Sequence, residues 1–403
     1  MFSRRSRFAG EPTLLAAALE QRQAAGRPVY DLTCSNPTTA GLAIPELLIR
    51  EALAHAENAV YRPDPRGLPA VRETVCATYR RRGARISPED VIAVSCTSEA
   101  YAWLFKLLCD PGDRILVPAP SYPLLRYLAQ LEGLELAHYP LYFAGEWLVD
   151  LDSLEEQLQD PRVRAVVLVH PNNPTGSYVK PGEWERLCGA AAARGAAVLC
   201  DAVFFDYILG DLPPLDPWQA DAPGLLFILD GLSKAYLAPQ LKLAWITVRG
   251  PSELRRRALS TLEIISDSYL TLSTPAQWAL PRLAPERDRL QAAAHARLAA
   301  NLRSLGEALE RTAASLLRPE GGWYACIRLP AGTADEDWCV KLLRETGVLV
   351  HPGGYFDFPD ADHVVVSLLT PPETFATGIR ELAARLLFRG DTRTKRDRGE
   401  SQV

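Results

Sequence analysis

The chain has 403 residues, 48% of them hydrophobic and 23% charged, with a formal net charge of −5. That length and composition suit a globular protein of two domains with a large core. The acidic balance offers no basic footprint for nucleic acid, and no run approaches the ~18 apolar residues of a membrane span.

Taken from the start, Met1 to Arg7 is basic but lacks the apolar core of a signal peptide. Glu11 to Arg27 has a helical apolar pattern (Leu14, Leu15, Ala18, Leu19) and predicts an arm helix. Asp31-Leu32-Thr33-Cys34-Ser35-Asn36-Pro37-Thr38 reads as a short strand and turn. Helices are predicted over Pro45 to Glu57 and Pro69 to about Arg81, with Tyr61 to Leu68 between them. Val91 to Cys96 reads as a strand, and Thr97-Ser98-Glu99-Ala100 opens an amphipathic helix to Cys109. Backbone N–H groups at that helix start, with two hydroxyls, make an anion site; plain N-capping accounts for the same residues. Arg114 to Pro118 is the next strand, followed by Ala119-Pro120-Ser121-Tyr122-Pro123.

Three further apolar runs each end on a residue with chemistry. Val166 to Val169 runs into His170-Pro171-Asn172-Asn173-Pro174-Thr175-Gly176, Ala196 to Cys200 into Asp201, and Leu225 to Leu229 into Asp230-Gly231-Leu232-Ser233-Lys234. Buried parallel strands read this way, and α/β proteins gather their chemistry at such strand ends. The chain has six lysines against 38 arginines. A desolvated Lys234 can lose its proton and form a Schiff base with a carbonyl, which arginine cannot do; a lysine snorkelling to water is the plainer alternative. An amide, a carboxylate and an amine at three strand ends are what a pyridinium cofactor bound through Lys234 needs. Lys242, eight residues on, is the rival lysine.

A long helical region runs from about Ser252 to Thr312, with breaks near Pro275 and Pro281. Gly321 to Leu329 reads as a strand, Asp335 to Glu345 as a helix, His363 to Leu369 as the last strand and Phe375 to Phe388 as a closing helix. Residues 390–403 are charged and polar and are expected to be disordered. The eight cysteines form no Cys-x-x-Cys pair. They read as reduced core residues of a cytoplasmic protein, with metal binding a poor second.

Asn173-Pro174-Thr175-Gly176, then Asp201, then Ser233-Lys234, in that order and spacing, resembles the fold type I pyridoxal-phosphate enzymes, specifically the class I/II (aspartate) aminotransferase family. The resemblance extends from about Tyr30 to about Phe388. It implies an α/β fold: a three-layer large domain on a mostly parallel sheet, and a smaller α+β domain formed by the N- and C-terminal parts. The implied division is an arm and part of the small domain in 1–50, a cofactor-binding domain in 51–285, a small domain in 286–389 and a tail in 390–403.

The resemblance also implies roles. Lys234 would hold pyridoxal 5'-phosphate and move the proton as general acid/base, with Asp201 on the ring nitrogen and Asn173 on the ring phenolate. Tyr122 would stack on the cofactor, with Thr97, Ser98, Glu99 and Ser233 also in its site. Tyr61 would reach the phosphate in a neighbouring subunit, which implies a homodimer.

Three positions depart from the family pattern. Phe204 stands where the family usually has tyrosine, and Lys242 where it has a phosphate-gripping arginine. Val365 stands where the family has the arginine that grips the substrate carboxylate, and no arginine lies between Gly353 and Thr370. The expected activity is amino-group transfer between an amine or amino acid and an oxo acid or aldehyde. The substrate would lack a free α-carboxylate (an amino sugar, amine or esterified amino acid), or Arg62, Arg328 or His363 would bind that group instead. A lyase, decarboxylase or oxidase on the same scaffold is the alternative. About 30 residues ahead of the match are too few for the DNA-binding domain of a regulator, and the absence of Gly-x-Gly-x-x-Gly after a strand disfavours a nicotinamide dehydrogenase.

Overall fold

The computed structural model describes residues 2–8, 12–211, 213–333 and 335–387. The expected disordered tail at 390–403 and Phe388 lie outside the described residues, and the closing helix is Pro372–Ala384. The strands are β1 (Tyr30–Asp31), β2 (Val91–Val94), β3 (Arg114–Ala119), β4 (Glu135–Phe143), β5 (Trp147–Val149), β6 (Val163–Val169) and β7 (Ala197–Asp201). They continue as β8 (Leu226–Gly231), β9 (Ala244–Arg249), β10 (Ser315–Leu317), β11 (Tyr324–Arg328), β12 (Val348–Leu349), β13 (His351–Pro352) and β14 (His363–Ser367).

An eight-stranded sheet has the order β2-β9-β8-β7-β6-β3-β4-β5. Within it β9 is antiparallel to both its neighbours and β5 to β4, while the other pairs are parallel. Both faces are covered, and the side chains of β6 divide between them by parity. Ala165, Val167 and Val169 enter one core, Val166 and Leu168 the other. β7 does the same, with Ala197 and Leu199 on one side and Val198 and Cys200 on the other. Two buried faces explain why these strands read as unbroken apolar runs. Register sets Asp201 opposite Val169 on one side and Leu229 on the other. The chemistry-bearing residues after β6, β7 and β8 therefore emerge side by side at one edge.

A four-stranded antiparallel sheet, β10-β11-β14-β13, packs separately, and β1 pairs in parallel with β12. The N-terminal segment is thereby tied to the C-terminal third. Ser367 N donates to Leu32 O (2.7 Å), and Ser367 Oγ to Cys34 O (2.7 Å).

The helical region after β9 forms three helices, Ser252–Tyr269, Thr274–Leu283 and Arg287–Leu309. Pro275 opens the second rather than breaking it, and Pro281 lies inside it. One break comes between Tyr269 and Thr274, just ahead of Pro275 as expected, and the other at Ala284–Glu286, past Pro281. Proline removes one helical hydrogen bond, yet Ala276, Ala279, Leu280 and Leu283 are buried along that helix, and their packing holds the turn together.

Candidate active site

Lys234 belongs to a single helical turn, Leu232–Ala235, directly after β8. Its backbone is fixed from behind: Tyr207 Oη donates to Lys234 O (2.7 Å), and Gln291 Nε2 to Ala235 O (3.0 Å). A Cβ on Gly231 would sit 2.7 Å from Ala244 Cβ, so only glycine lets β8 and β9 approach this closely. The Lys234 ammonium faces two rings, Trp323 at 4.6 Å and Phe204 at 5.4 Å from their centroids. Burial pulls its pKa down to about 8, against the attraction of Asp201. A lysine in this state gives up its proton near neutrality.

Asp201 is 7% exposed. Its Oδ1 accepts from Val203 N (3.2 Å) and its Oδ2 from the Tyr101 hydroxyl (3.1 Å). Burial pushes its pKa up to about 6, while both hydrogen bonds and Lys234 oppose the rise. Asn173 leaves Oδ1 buried with no hydrogen-bond partner among the described residues. An unpartnered acceptor on a cavity wall is open to a ligand's donor group.

A cavity of about 250 Å³ joins these residues. Of the sequence-predicted set, Thr97, Tyr122, Asn173, Asp201, Phe204, Ser233 and Lys234 line it. Ser35, from the N-terminal segment that the resemblance sets across the mouth of the site, and Tyr324 of β11, which sequence reasoning did not assign, complete the wall. The Tyr122 phenol is driven up to about 12, first by burial, so it stays protonated.

The other predicted residues lie elsewhere. Ser98 does not line the cavity. Glu99 turns back to accept from Ser95 N (2.8 Å), just ahead of its own helix, and from Thr271 Oγ1 (2.9 Å). Lys242 is exposed, in a left-handed backbone conformation after the turn Pro239–Leu241. Tyr61 is 71% exposed and borders a shallow cleft with Arg62 and Ser266.

Val365 is completely buried in the centre of the small sheet. Register places it opposite Cys326 on one side and His351 on the other, and directly opposed residues share a sheet face. Cys326 Sγ on that face reaches Pro174 O (3.4 Å), beside Asn173, and His351 lines a second cavity. A side chain at 365 therefore points towards the site. Of the three alternative cations, Arg62 pairs with Glu57 (3.0 Å), His363 with Asp362 (2.8 Å), and Arg328 is exposed. None lines either cavity.

The model of the family described as aminotransferase class I and II matches residues 27–375. The chain belongs to this family. It is 26% identical to the glutamate-pyruvate aminotransferase AlaA of Escherichia coli strain K12, over 84% of this chain and 85% of that protein. Alanine aminotransferase of Mycobacterium tuberculosis strain H37Rv is also 26% identical, over 91% and 87%. Among solved structures, alanine aminotransferase from Pyrococcus furiosus superposes with a TM-score of 0.87 at 24% identity, covering 96% of this chain and 99% of that one. A double mutant of Thermus thermophilus aspartate aminotransferase gives 0.84 at 22%, covering 96% and 100%.

Class I and II aminotransferases are enzymes that use pyridoxal phosphate. The residues at the strand ends fit that group: a buried amine of lowered pKa, a buried carboxylate and a side-chain amide whose Nδ2–H can donate share one cavity.

The second cavity, of about 480 Å³, continues from the first, sharing Tyr122, Asn173 and Tyr324 with it. Tyr127, Tyr355, Phe356 and Leu124 are among its other lining residues. Its charged pair, Arg126 and Asp357, is closed on itself by an ion pair. Burial lowers the pKa of His351 and keeps it neutral. Apart from Lys234, neither cavity has an unpaired cation in its described lining.

Proposed function

We infer that the chain transfers an amino group to and from a substrate whose reacting carbon carries no free carboxylate, and that the body of this substrate is aromatic or broadly apolar. The observation that carries this reading is the row Cys326–Val365–His351, which faces the site with no positive charge in it. An α-carboxylate would lie unpaired beside valine, and burying a lone charge costs several kcal/mol. The aromatic lining of the outer cavity favours rings over a second carboxylate.

The bound cofactor would supply an electron-accepting ring for the charge left on the substrate carbon. Lys234 would anchor it and, with its pKa near neutrality, take and return the substrate proton. Asp201, ionised above about pH 6, would hold a proton on the ring nitrogen. Tyr122 would cover one face of the ring. Phe204 brings no hydroxyl, so Asn173 alone would meet the phenolate. Thr97, at the start of the helix Thr97–Leu108, and Ser233 would receive the phosphate.

A homodimer in the cytoplasm completes the reading. Leu47, Val60, Tyr61 and Ile264 are exposed apolar side chains that a second copy would cover. All eight cysteines are free, as a reducing compartment requires. Mixing an inactive Tyr61 variant with an inactive Lys234 variant should restore activity in heterodimers; no recovery after proven subunit exchange would remove Tyr61 from the site.

The substrate reading is tested by loading the enzyme with pyridoxal phosphate and following loss of its visible absorbance with paired donors. Tyramine should react readily, whereas glutamate and alanine should need more than about 1 mM. Fast reaction with glutamate at micromolar concentration would overturn the reading and require another residue to hold the carboxylate.

A further inference from the structure

Asp201 continues the parity of Ala197 and Leu199 along β7, the side chains that enter the core beneath the helix Thr97–Leu108. Tyr101 lies in that same core, on that helix, and is 2% exposed. Its hydroxyl donates to Asp201 Oδ2 (3.1 Å), and it is the only side chain hydrogen-bonded to this carboxylate in the described structure. The remaining contact, to Oδ1, comes from the backbone of Val203, two residues along the same chain. Phe105, one turn further along the helix, packs against the Tyr101 ring at 5.9 Å. The start of this helix carries Thr97 to the cavity wall, so one rigid element both bounds the cofactor cavity and grips its carboxylate. Burial holds the Tyr101 phenol well above its ordinary pKa. It therefore remains a donor throughout the working range.

We propose that Tyr101 is a positioning residue for Asp201: it fixes the carboxylate's orientation and limits its basicity, and so keeps the proton on the cofactor's ring nitrogen. The proposal rests on the reading that Asp201 faces that nitrogen. The physical argument concerns where a shared proton sits. A carboxylate accepting a hydrogen bond is a weaker base than the same carboxylate without it. Lys234 is the cation that acts on Asp201, and its attraction works in the same direction. With the Tyr101 donor removed, Asp201 becomes more basic and draws the proton off the ring nitrogen. It also loses the contact that fixes its second oxygen. Both effects weaken its hold on the cofactor.

The test uses the full-length protein loaded with pyridoxal phosphate isotope-labelled at the ring nitrogen. Tyr101→Phe should move the ring-nitrogen NMR resonance towards that of the unprotonated ring and weaken cofactor affinity by about tenfold, the loss of one charge-assisted hydrogen bond. Phe105→Leu, which disturbs packing around the same ring but leaves the hydroxyl, should move neither. Site-specific difluorotyrosine at position 101, a stronger donor that keeps the ring, should shift the resonance in the opposite direction, and it decides the matter if Tyr101→Phe fails to fold. A resonance and affinity within twofold of wild type in Tyr101→Phe, or no shift with difluorotyrosine, would overturn the proposal. Asp201→Asn separates the two levels. If it moves the resonance while the Tyr101 variants do not, only the positioning role fails; if it leaves the resonance in place, the reading of Asp201 fails as well.

Discussion

The ammonium of Lys234 stands 4.6 Å from the ring centroid of Trp323, a contact between the end of a large-sheet strand and the residue that precedes β11 in the small sheet. A desolvated cation–π contact contributes about 0.5–2 kcal/mol and favours the charged amine. Trp323→Leu removes it while leaving the site dry. The pKa of Lys234 should then fall further, by about one unit. The pH dependence of covalent cofactor attachment should move down accordingly. An unchanged or raised midpoint would show that the ring does not act on the amine.

Borohydride reduction of the cofactor-loaded protein should fix the cofactor on the peptide that holds Lys234. Lys242, exposed and outside the cavity, should remain unmodified. Lys234→Ala should abolish turnover yet still bind the cofactor without a covalent link, because Asp201, Asn173 and the hydroxyls of Thr97 and Ser233 remain in place. Label found on Lys242 would reverse the assignment of the two lysines.

Asp201 makes the fold's stability depend on pH in a direction that can be signed. Its folded pKa, about 6, lies above the ordinary 3.8, so the unfolded chain ionises first as pH rises. Stability is then lost between about pH 4 and pH 6, by up to about 3 kcal/mol for a shift of this size. The apo form of Asp201→Asn should lose less stability over this window, as read by denaturant midpoints at its two ends. Equal slopes in the two proteins would mean that the carboxylate is not desolvated as the structure has it.

Val365→Arg tests the substrate reading from the protein side. The guanidinium would project towards the site from the face shared by Cys326 and His351. It should lower KM for simple α-amino acids. Because the position is fully buried, we expect it to cost about 2–4 kcal/mol in stability. A folded variant whose KM for alanine is unchanged would mean that substrate carboxylates do not approach this strand.

The part of the site legible in the sequence is the part that lies at the ends of β6, β7 and β8. These strands are buried on both faces, so each is a solid apolar run, and the first polar group after the run marks the strand end. Asn173, Asp201 and Lys234 were found that way. Tyr101 gave no such signal: it sits in a helical apolar pattern, and its partner is 100 residues away. Trp323 and Tyr324 read as strand residues, and only the placement of the start of β11 beside the turn after β8 brings Trp323 onto Lys234 and Tyr324 into the same cavity. Glu99 carries the composition of an anion-site helix start, but its carboxylate satisfies Ser95 N instead. The hairpin of β4 and β5 is half-exposed and interrupted by Pro140, so it lacks the continuous run that identified its neighbours.

The pairing of β1 with β12, and the bonds from Ser367 to Leu32 and Cys34, bear on when the enzyme can first work. Ser35 lines the cavity, and its neighbour Cys34 is held by Ser367, 333 residues further along the chain. Lys234 and Asp201 would already be translated and folded into the large sheet while the wall formed by Ser35 and Tyr324 is still missing. The cavity wall is therefore complete only once Ser367 has been made, and a chain stalled before it would leave Lys234 in an open, wet site.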